Sequence, residues 1–342
     1  MILALLEMTL FAIADFDYAN FGYNAKAFFY TLKKTTTMKT KKQQKNPQNS
    51  TQTNKILKRI LDFHYESYNS QEAINRQNLD PLLKVKEYIN NKKTQKNLDE
   101  TAYVALVCAL FAYGNVKAIL KFLDSLNFGL LDSSEAIVAS DFPYYRFQKA
   151  IEVKLFFLAL CEMKQNRALE SILHLHKSRP KPIYLLINEC IEVIWQVAKK
   201  YATKLNYTLE SHTSKPNGFA FLVGTPLPKT SVLPSSPLKR WNMFLRWMVR
   251  EDNVDLGLWR GYICPSELLL PLDTHTFGVC HALGLLHRKS YDFKAVLEVS
   301  ENLARFDKDD PIKYDFALYR LGQKGVIQKG EKVDFAKLLV CE

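Results

Sequence analysis

Residues 101–114, TAYVALVCALFAYG, carry no charged side chain, and their apolar residues lie on every side of a helix rather than along one stripe. A helix that is apolar all round belongs in the interior of a protein. This segment is therefore predicted to be a buried central helix, opened by Asp99 as its cap and ended by Gly114. Such a helix needs other helices around it, and the rest of the chain has the spacing to supply them. Ile56, Leu57, Ile60, Leu61 and His64, and then Leu82, Leu83, Val85 and Ile89, recur at helical intervals. Further helices are predicted near 116–125, 147–165 and 182–206. They are followed by KRWNMFLRWMVR from Lys239, a helix around 256–270, one from Thr274, one over 291–305 and a last one opened by Asp310-Pro311. Between them, 207–238 holds Pro216, Gly218, Gly224, Pro226, Pro228, Pro234 and Pro237, and is expected to be a loop-rich excursion. There are few convincing strands and no internal repeat, so the expected fold class is all-α. With 342 residues, 47% apolar and 12% aromatic, the chain can fill one large helical domain or two helical lobes over 56–342.

The formal net charge is +12, but eight lysines and no acidic residue lie between Lys33 and Lys58. Residues 33–54 are Lys, Gln, Asn and Thr with almost no apolar side chains, too few to offset the entropy of ordering. Residues 1–55 are thus expected to be a disordered basic tail, with 1–37 an upstream extension of a start at Met38. The remaining positive balance favours a polyanion as partner. MILALLEMTLFAIADF carries Glu7 and lacks a basic leader, and no run of 18 apolar residues occurs, so neither a secretory signal nor a membrane span is expected. Six cysteines are widely scattered without a CxxC, which fits a reduced, cytoplasmic setting and no iron–sulfur cluster. The seven histidines lack metal-ligand spacing, so no metal and no cofactor are expected.

Two helix entrances carry the chemistry. Leu233-Pro-Ser-Ser-Pro-Leu-Lys239 leads into one helix, and 34 residues later Pro271-Leu-Asp273-Thr-His275 leads into another. LPSSPLKRWNMF resembles the hairpin and following helix of the helix-hairpin-helix base-excision DNA glycosylases, in which an LPGVGRK-type turn presents a nucleophilic lysine. LDTHTFGVCHALGL is similar to the VDTHxxRVxxR segment of the same superfamily, which holds its aspartate at a helix start. Weaker likeness extends over 99–147 and 306–322, and the archaeal 8-oxoguanine branch is the most similar.

The resemblance implies a two-lobed helical fold with a cleft between the lobes, acting as a monomer on damaged double-stranded DNA in the cytoplasm, at the nucleoid. Lys239 and Asp273 would be the catalytic pair. Ser235, Ser236, Arg240, His275 and Arg146 would contact DNA, and Tyr113, Gly114, Tyr145, Phe147 and Trp247 would line the base pocket. The sequence departs from the pattern where hairpin glycines are replaced by Ser235 and Pro237, the latter without an N–H for a phosphate, and where Gly278 stands in place of an arginine.

Base excision gives these residue types a reason. The damaged base has to leave the stack before C1′ can be reached. Its departure builds positive charge on the sugar, which a carboxylate stabilises. A lysine attacks C1′ as the neutral amine, which burial and a neighbouring cation such as Arg240 favour. Simpler roles stand beside these. Asp-Thr before an apolar helix is a common N-cap, and a lysine at a helix start is commonly a solvated one. A non-catalytic nucleic-acid-binding protein of the same fold and a helical interaction scaffold are the competing functions.

Overall fold

Every regular element among the described residues is helical. The computed structural model describes residues 47–75, 78–91, 98–209 and 218–327, together with 333, 335 and 338. The chain divides into two compact units, Met1–Thr53 and Asn54–Glu342. The expectations for residues 1–46 lie outside the described residues.

The described α-helices are α1 (Pro47–Tyr68), α2 (Leu82–Asn91), α3 (Leu98–Leu110), α4 (Val116–Asp124), α5 (Ser134–Ala139), α6 (Ala150–Gln165) and α7 (Ala168–Ser178). They continue as α8 (Ile183–Lys204), α9 (Gly218–Val223), α10 (Lys239–Val249), α11 (Thr274–Ala282), α12 (Phe293–Leu303) and α13 (Asp315–Gln323).

Two helices form the interior. In α3 and the turn after it, every side chain from Ala102 to Ala112 is buried, as the all-round apolar pattern predicts. In α6 the run Leu155–Cys161 has no exposed surface at all. Fully burying a Leu or Phe side chain contributes roughly 1.5–3 kcal/mol, so these two segments anchor the core. Around them, α2, α6 and α10 pack on α3, while α5, α7, α8 and α9 pack on α6. The pair α11 and α13 forms a further close contact.

The structure departs from the sequence expectations in several places. The first helix begins at Pro47 rather than Ile56. Once the turns at Leu57, Ile60 and Leu61 are fixed by packing, each further residue adds a backbone hydrogen bond at little extra cost. Asp99 lies inside the first turn of α3, which starts at Leu98. Residues 168–178, not expected to be helical, form α7 after Arg167 breaks the chain direction in the left-handed region. The excursion at 207–238 contains the short helix α9. The final helix starts at Asp315, because the Asp307 carboxylate takes the amides of Asp309 and Asp310 at 3.1 and 3.0 Å and closes a turn first.

The largest departure is at 256–270, which is irregular apart from a single 3-10 turn at Pro265–Glu267. Gly257 and Gly261 take positive φ and turn the chain. The amides of Leu256 and Trp259 then donate to the carbonyls of Trp247 and Met248 at the end of α10, at 2.8 and 2.6 Å. The apolar spacing that reads as a helix instead inserts Trp259, Ile263, Leu268 and Leu270 individually into the core.

A buried ion network ties these parts together. Arg246 on α10 pairs with Asp255 at 3.2 Å and with Asp315 at the start of α13. Arg250 pairs with Asp255, with Asp310 at 2.9 Å and with Asp252 at 3.0 Å. Burial pushes the Asp255 carboxyl up, and the two guanidiniums pull it back. Tyr65 and Tyr314, which meet edge to face, attach α1 through hydrogen bonds to Asp252 and Asp62. Removing one partner of such a network leaves an unpaired buried charge, which typically costs 3–5 kcal/mol. Asp255→Ala is therefore expected to lose about 3–5 kcal/mol in urea denaturation. Arg260→Ala, which breaks only the exposed pair with Glu251, should stay within about 1 kcal/mol of the parent.

Candidate functional site

Lys239 is the first residue of α10, and the backbone before it is unusual. Leu238 takes the left-handed region at φ 50° and ψ 33°, where glycine sits without penalty and other residues do not. Three bonds hold this entrance. The Asn242 amide donates to the Leu238 carbonyl at 2.9 Å, the Asn242 side chain donates to the Pro237 carbonyl at 3.1 Å, and the Trp241 indole donates to the Val223 carbonyl at 2.8 Å. Residues 224–238 connect α9 to α10 without regular structure. The tight hairpin between two helices that the resemblance implies is thus opened into a longer, proline-rich connection.

Asp273 is the N-cap of α11, and its Oδ1 accepts the Thr276 amide at 2.7 Å. The strand-like lead-in to it is pinned by the Leu270 amide on Ser300 Oγ at 2.9 Å and by the Tyr291 hydroxyl on the Leu272 carbonyl at 2.7 Å. Behind α11, Gly322 of α13 allows close approach. A Cβ there would stand 3.0 Å from Val279 and 3.1 Å from His275.

These two helix starts open into one cavity of about 1140 Å³, somewhat larger than the usual range of roughly 300–1,000 Å³ for small-molecule sites. Lys239 and Asp273, both half-buried, line it together. So do Ser235, Ser236, Arg240 and His275 from the two motifs, and Tyr113 and Gly114 from the end of the α3 segment. The turn after α3 and the start of α4 therefore line the same space as the starts of α10 and α11.

Four of the residues expected at the site lie elsewhere. Trp247 has no exposed surface and its indole N–H finds no partner among the described residues. Its place on the inner face of α10 makes it core rather than base pocket. Tyr145 is buried beneath Tyr113, with its hydroxyl on the Tyr113 carbonyl at 2.9 Å, and packs on Phe111 and Phe122. Arg146 and Phe147 do not line the cavity. They sit on an exposed turn beside it, because Tyr145 and Gln148 bridge and leave the two residues between them at the tip.

Arg240 is held by partners from α3 and α9. Its guanidinium donates to the carbonyls of Leu110 and Phe221 and lies 5.0 and 5.1 Å from the ring centres of Tyr113 and Phe221. Burial pushes it down to about 10, with the Tyr113 phenol acting in the opposite sense. It remains a cation at neutral pH.

The cavity also contains groups the motifs do not announce. Burial pushes Asp315 up to about 6 against the pull of Arg246, with Asp273 adding to the rise. Tyr291 is pushed to about 12 by burial and by the Asp273 charge, and Tyr319 to about 12 by burial, Asp80 and Asp273. Asp273 thus faces a wall of phenols and a second carboxyl. Phe221 is the other residue missed. Its only sequence signal is the apolar run GFAFLVG set among prolines.

No group of histidine, cysteine and acidic side chains suited to a metal occurs among the described residues. The described cysteines are free, with Cys264 exposed and the others buried, and Cys341 lies outside the described residues. No described helix is long and apolar enough to cross a membrane.

The described residues define an all-helical protein whose candidate site is an open cavity between the starts of α10 and α11. The chain belongs to the family described as protein of unknown function DUF2400, whose model matches residues 80–324. That span includes every residue of the cavity wall, from Asp80 to Gln323. No curated protein and no solved structure matches the chain.

The capping role of Asp273 is separable by substitution. Asp273→Ala is expected to lose about 1 kcal/mol of stability, while Asp273→Asn, which keeps the accepting oxygen, should stay within a few tenths. Urea denaturation of the two variants checks this.

Proposed function

We propose that the protein is a DNA glycosylase with an accompanying lyase step, which removes an oxidised base from duplex DNA. The supporting observation is that Lys239 and Asp273, 34 residues apart and each at a helix start, line the same cavity. A shared C1′ target requires both groups to reach one space, and the common cavity is consistent with that. The cavity has room for an extruded nucleotide. The turn after α3 with the start of α4 on one part of its wall, and α10 and α11 on another, would belong to the two lobes of the resemblance.

In this reading the Lys239 amine attacks C1′ as the glycosidic bond breaks, and the base leaves with the bonding electrons. Asp273 stabilises the positive charge on the sugar. The adduct opens to a Schiff base between Lys239 Nζ and C1′, from which elimination cuts the strand on the 3′ side. Ser235, Ser236 and His275, exposed or partly exposed at the cavity mouth, would meet the DNA backbone. The choice of 8-oxoguanine as substrate rests on the resemblance to the archaeal branch.

A second reading, a nucleic-acid-binding protein without base excision, is favoured by the opened hairpin. Pro237 offers no amide, and the connection from α9 replaces a tight turn. Borohydride trapping on duplexes carrying 8-oxoguanine separates the two. The wild-type chain is expected to form a covalent DNA adduct, and Lys239→Gln to lose it while still binding the duplex. Asp273→Asn should lower single-turnover excision on the order of 100-fold or more without a matching loss of melting temperature. Wild-type excision by Asp273→Asn, or no adduct and no excision by the wild type on any damaged duplex, would leave the binding-only reading in its place.

A further inference from the structure

Just outside the cavity, exposed aromatic rings come together with the Arg146 guanidinium. The turn Tyr145–Gln148 is closed by two backbone bonds, Tyr145 N to Gln148 O at 3.1 Å and Gln148 N to Tyr145 O at 2.8 Å. At its tip Phe147 is 56% exposed, and Tyr144 just before the turn is 77% exposed. Phe147 meets Phe221, itself 39% exposed, with ring centres 4.8 Å apart, and lies nearly parallel to Tyr113 at 6.2 Å.

The assembly is held in place from behind. Gln148 accepts from the Tyr113 hydroxyl and donates to the Gly218 carbonyl at 2.6 Å, which joins the turn to the end of the α3 segment and to α9. Arg146, at φ 51°, lays its guanidinium over Gly114, where a Cβ would come within 2.2 Å of Nη1. It also lies 5.9 and 5.8 Å from the rings of Tyr113 and Phe147. Arg240 also lies 5.0 Å from the Tyr113 ring centre, and neither guanidinium pairs with a carboxylate among the described residues.

Exposed rings that are preorganised beside the exposed Arg146 guanidinium suit a ligand that is both planar and anionic. An apolar protein surface would leave that cation unmet, and a bare phosphate would leave the rings unused. Nucleotides whose bases are not stacked in a duplex supply both. We propose that Phe147, Phe221 and Tyr144, with Arg146, form a stacking platform for single-stranded DNA at the cavity rim. The platform binds undamaged strands and does not depend on Lys239 or Asp273.

Fluorescence anisotropy of the full chain with a short labelled oligo-dT, and with an abasic analogue of equal length and charge, tests this. Oligo-dT is expected to bind about tenfold or more tightly than the abasic analogue, since stacking of the bases is the difference between them. Phe147→Ala and Phe221→Leu should each weaken oligo-dT binding by about tenfold, and Phe147→Trp should retain it. The exposure of Phe147 makes an unchanged melting temperature the expected control result. Equal binding of the abasic analogue would assign the affinity to phosphate attraction alone and overturn the platform. Unchanged oligo-dT binding by folded Phe147→Ala, or no binding by the wild type, would overturn it as well. Because the probe carries no lesion, these results stand apart from those of borohydride trapping.

Discussion

Arg246 is fixed at two points, and much of the cavity depends on it. The arginine stands two turns after Lys239 on α10, and its guanidinium bonds Asp255 in the turn that follows α10 and Asp315 at the start of α13. Arg250 extends the same network to Asp252 and Asp310. Two buried cations demand fixed counter-charges, because an unpaired charge in the interior is far more expensive than a lost apolar contact. The chain after α10 therefore has one arrangement available, and α13 is held against α10. Since α13 packs on α11, and Gly322 lets them approach closely, the same constraint sets where Asp273 stands relative to Lys239.

The cavity wall is chemically divided by the elements that build it. From the end of the α3 segment, α9 and the first turn of α10 come aromatic rings and a guanidinium that lean on one another, Tyr113, Phe221 and Arg240. From α11, α13 and the chain before α12 come carboxyls and phenols, Asp273, Asp315, Tyr319 and Tyr291. Burial raises both phenols further above their ordinary value, and the Tyr291 hydroxyl is already given to the Leu272 carbonyl. The cavity wall thus has a guanidinium and π faces from one set of elements and carboxyls and phenols from the other, and the exposed rings beside Gly114 continue the first set outward.

The sequence patterns that proved reliable were those in which a single local rule applied. Residues 101–112 had to be interior because no face of their helix is polar. Asp-Thr-His before an apolar run at 273–275 had to start a helix because the aspartate satisfies an orphan amide. Lys239 was legible as a helix start from the proline-rich approach and the aromatic repeat after it. Patterns went astray where side-chain spacing had two structural meanings. The apolar residues of 256–270 fit a helix, yet two glycines with positive φ and the free carbonyls of α10 capture the chain first. The resemblance put Trp247 in a pocket, but its position on α10 turns the side chain into the core.

The sequence alone determined that the chain is helical, that α3 is its centre and that Lys239 and Asp273 each begin a helix, since these follow from periodicity, burial of apolar faces and capping within a few residues. Only the tertiary structure decided that the two starts share one cavity, that Arg240 is held against Tyr113 and Phe221, and that Phe147 stands outside on a turn. Those outcomes depend on contacts between segments far apart in the chain, such as Arg246 with Asp315 or Gln148 with Gly218. Their partners are selected by the buried charge and hydrogen-bonding needs of the whole fold, which no local pattern encodes.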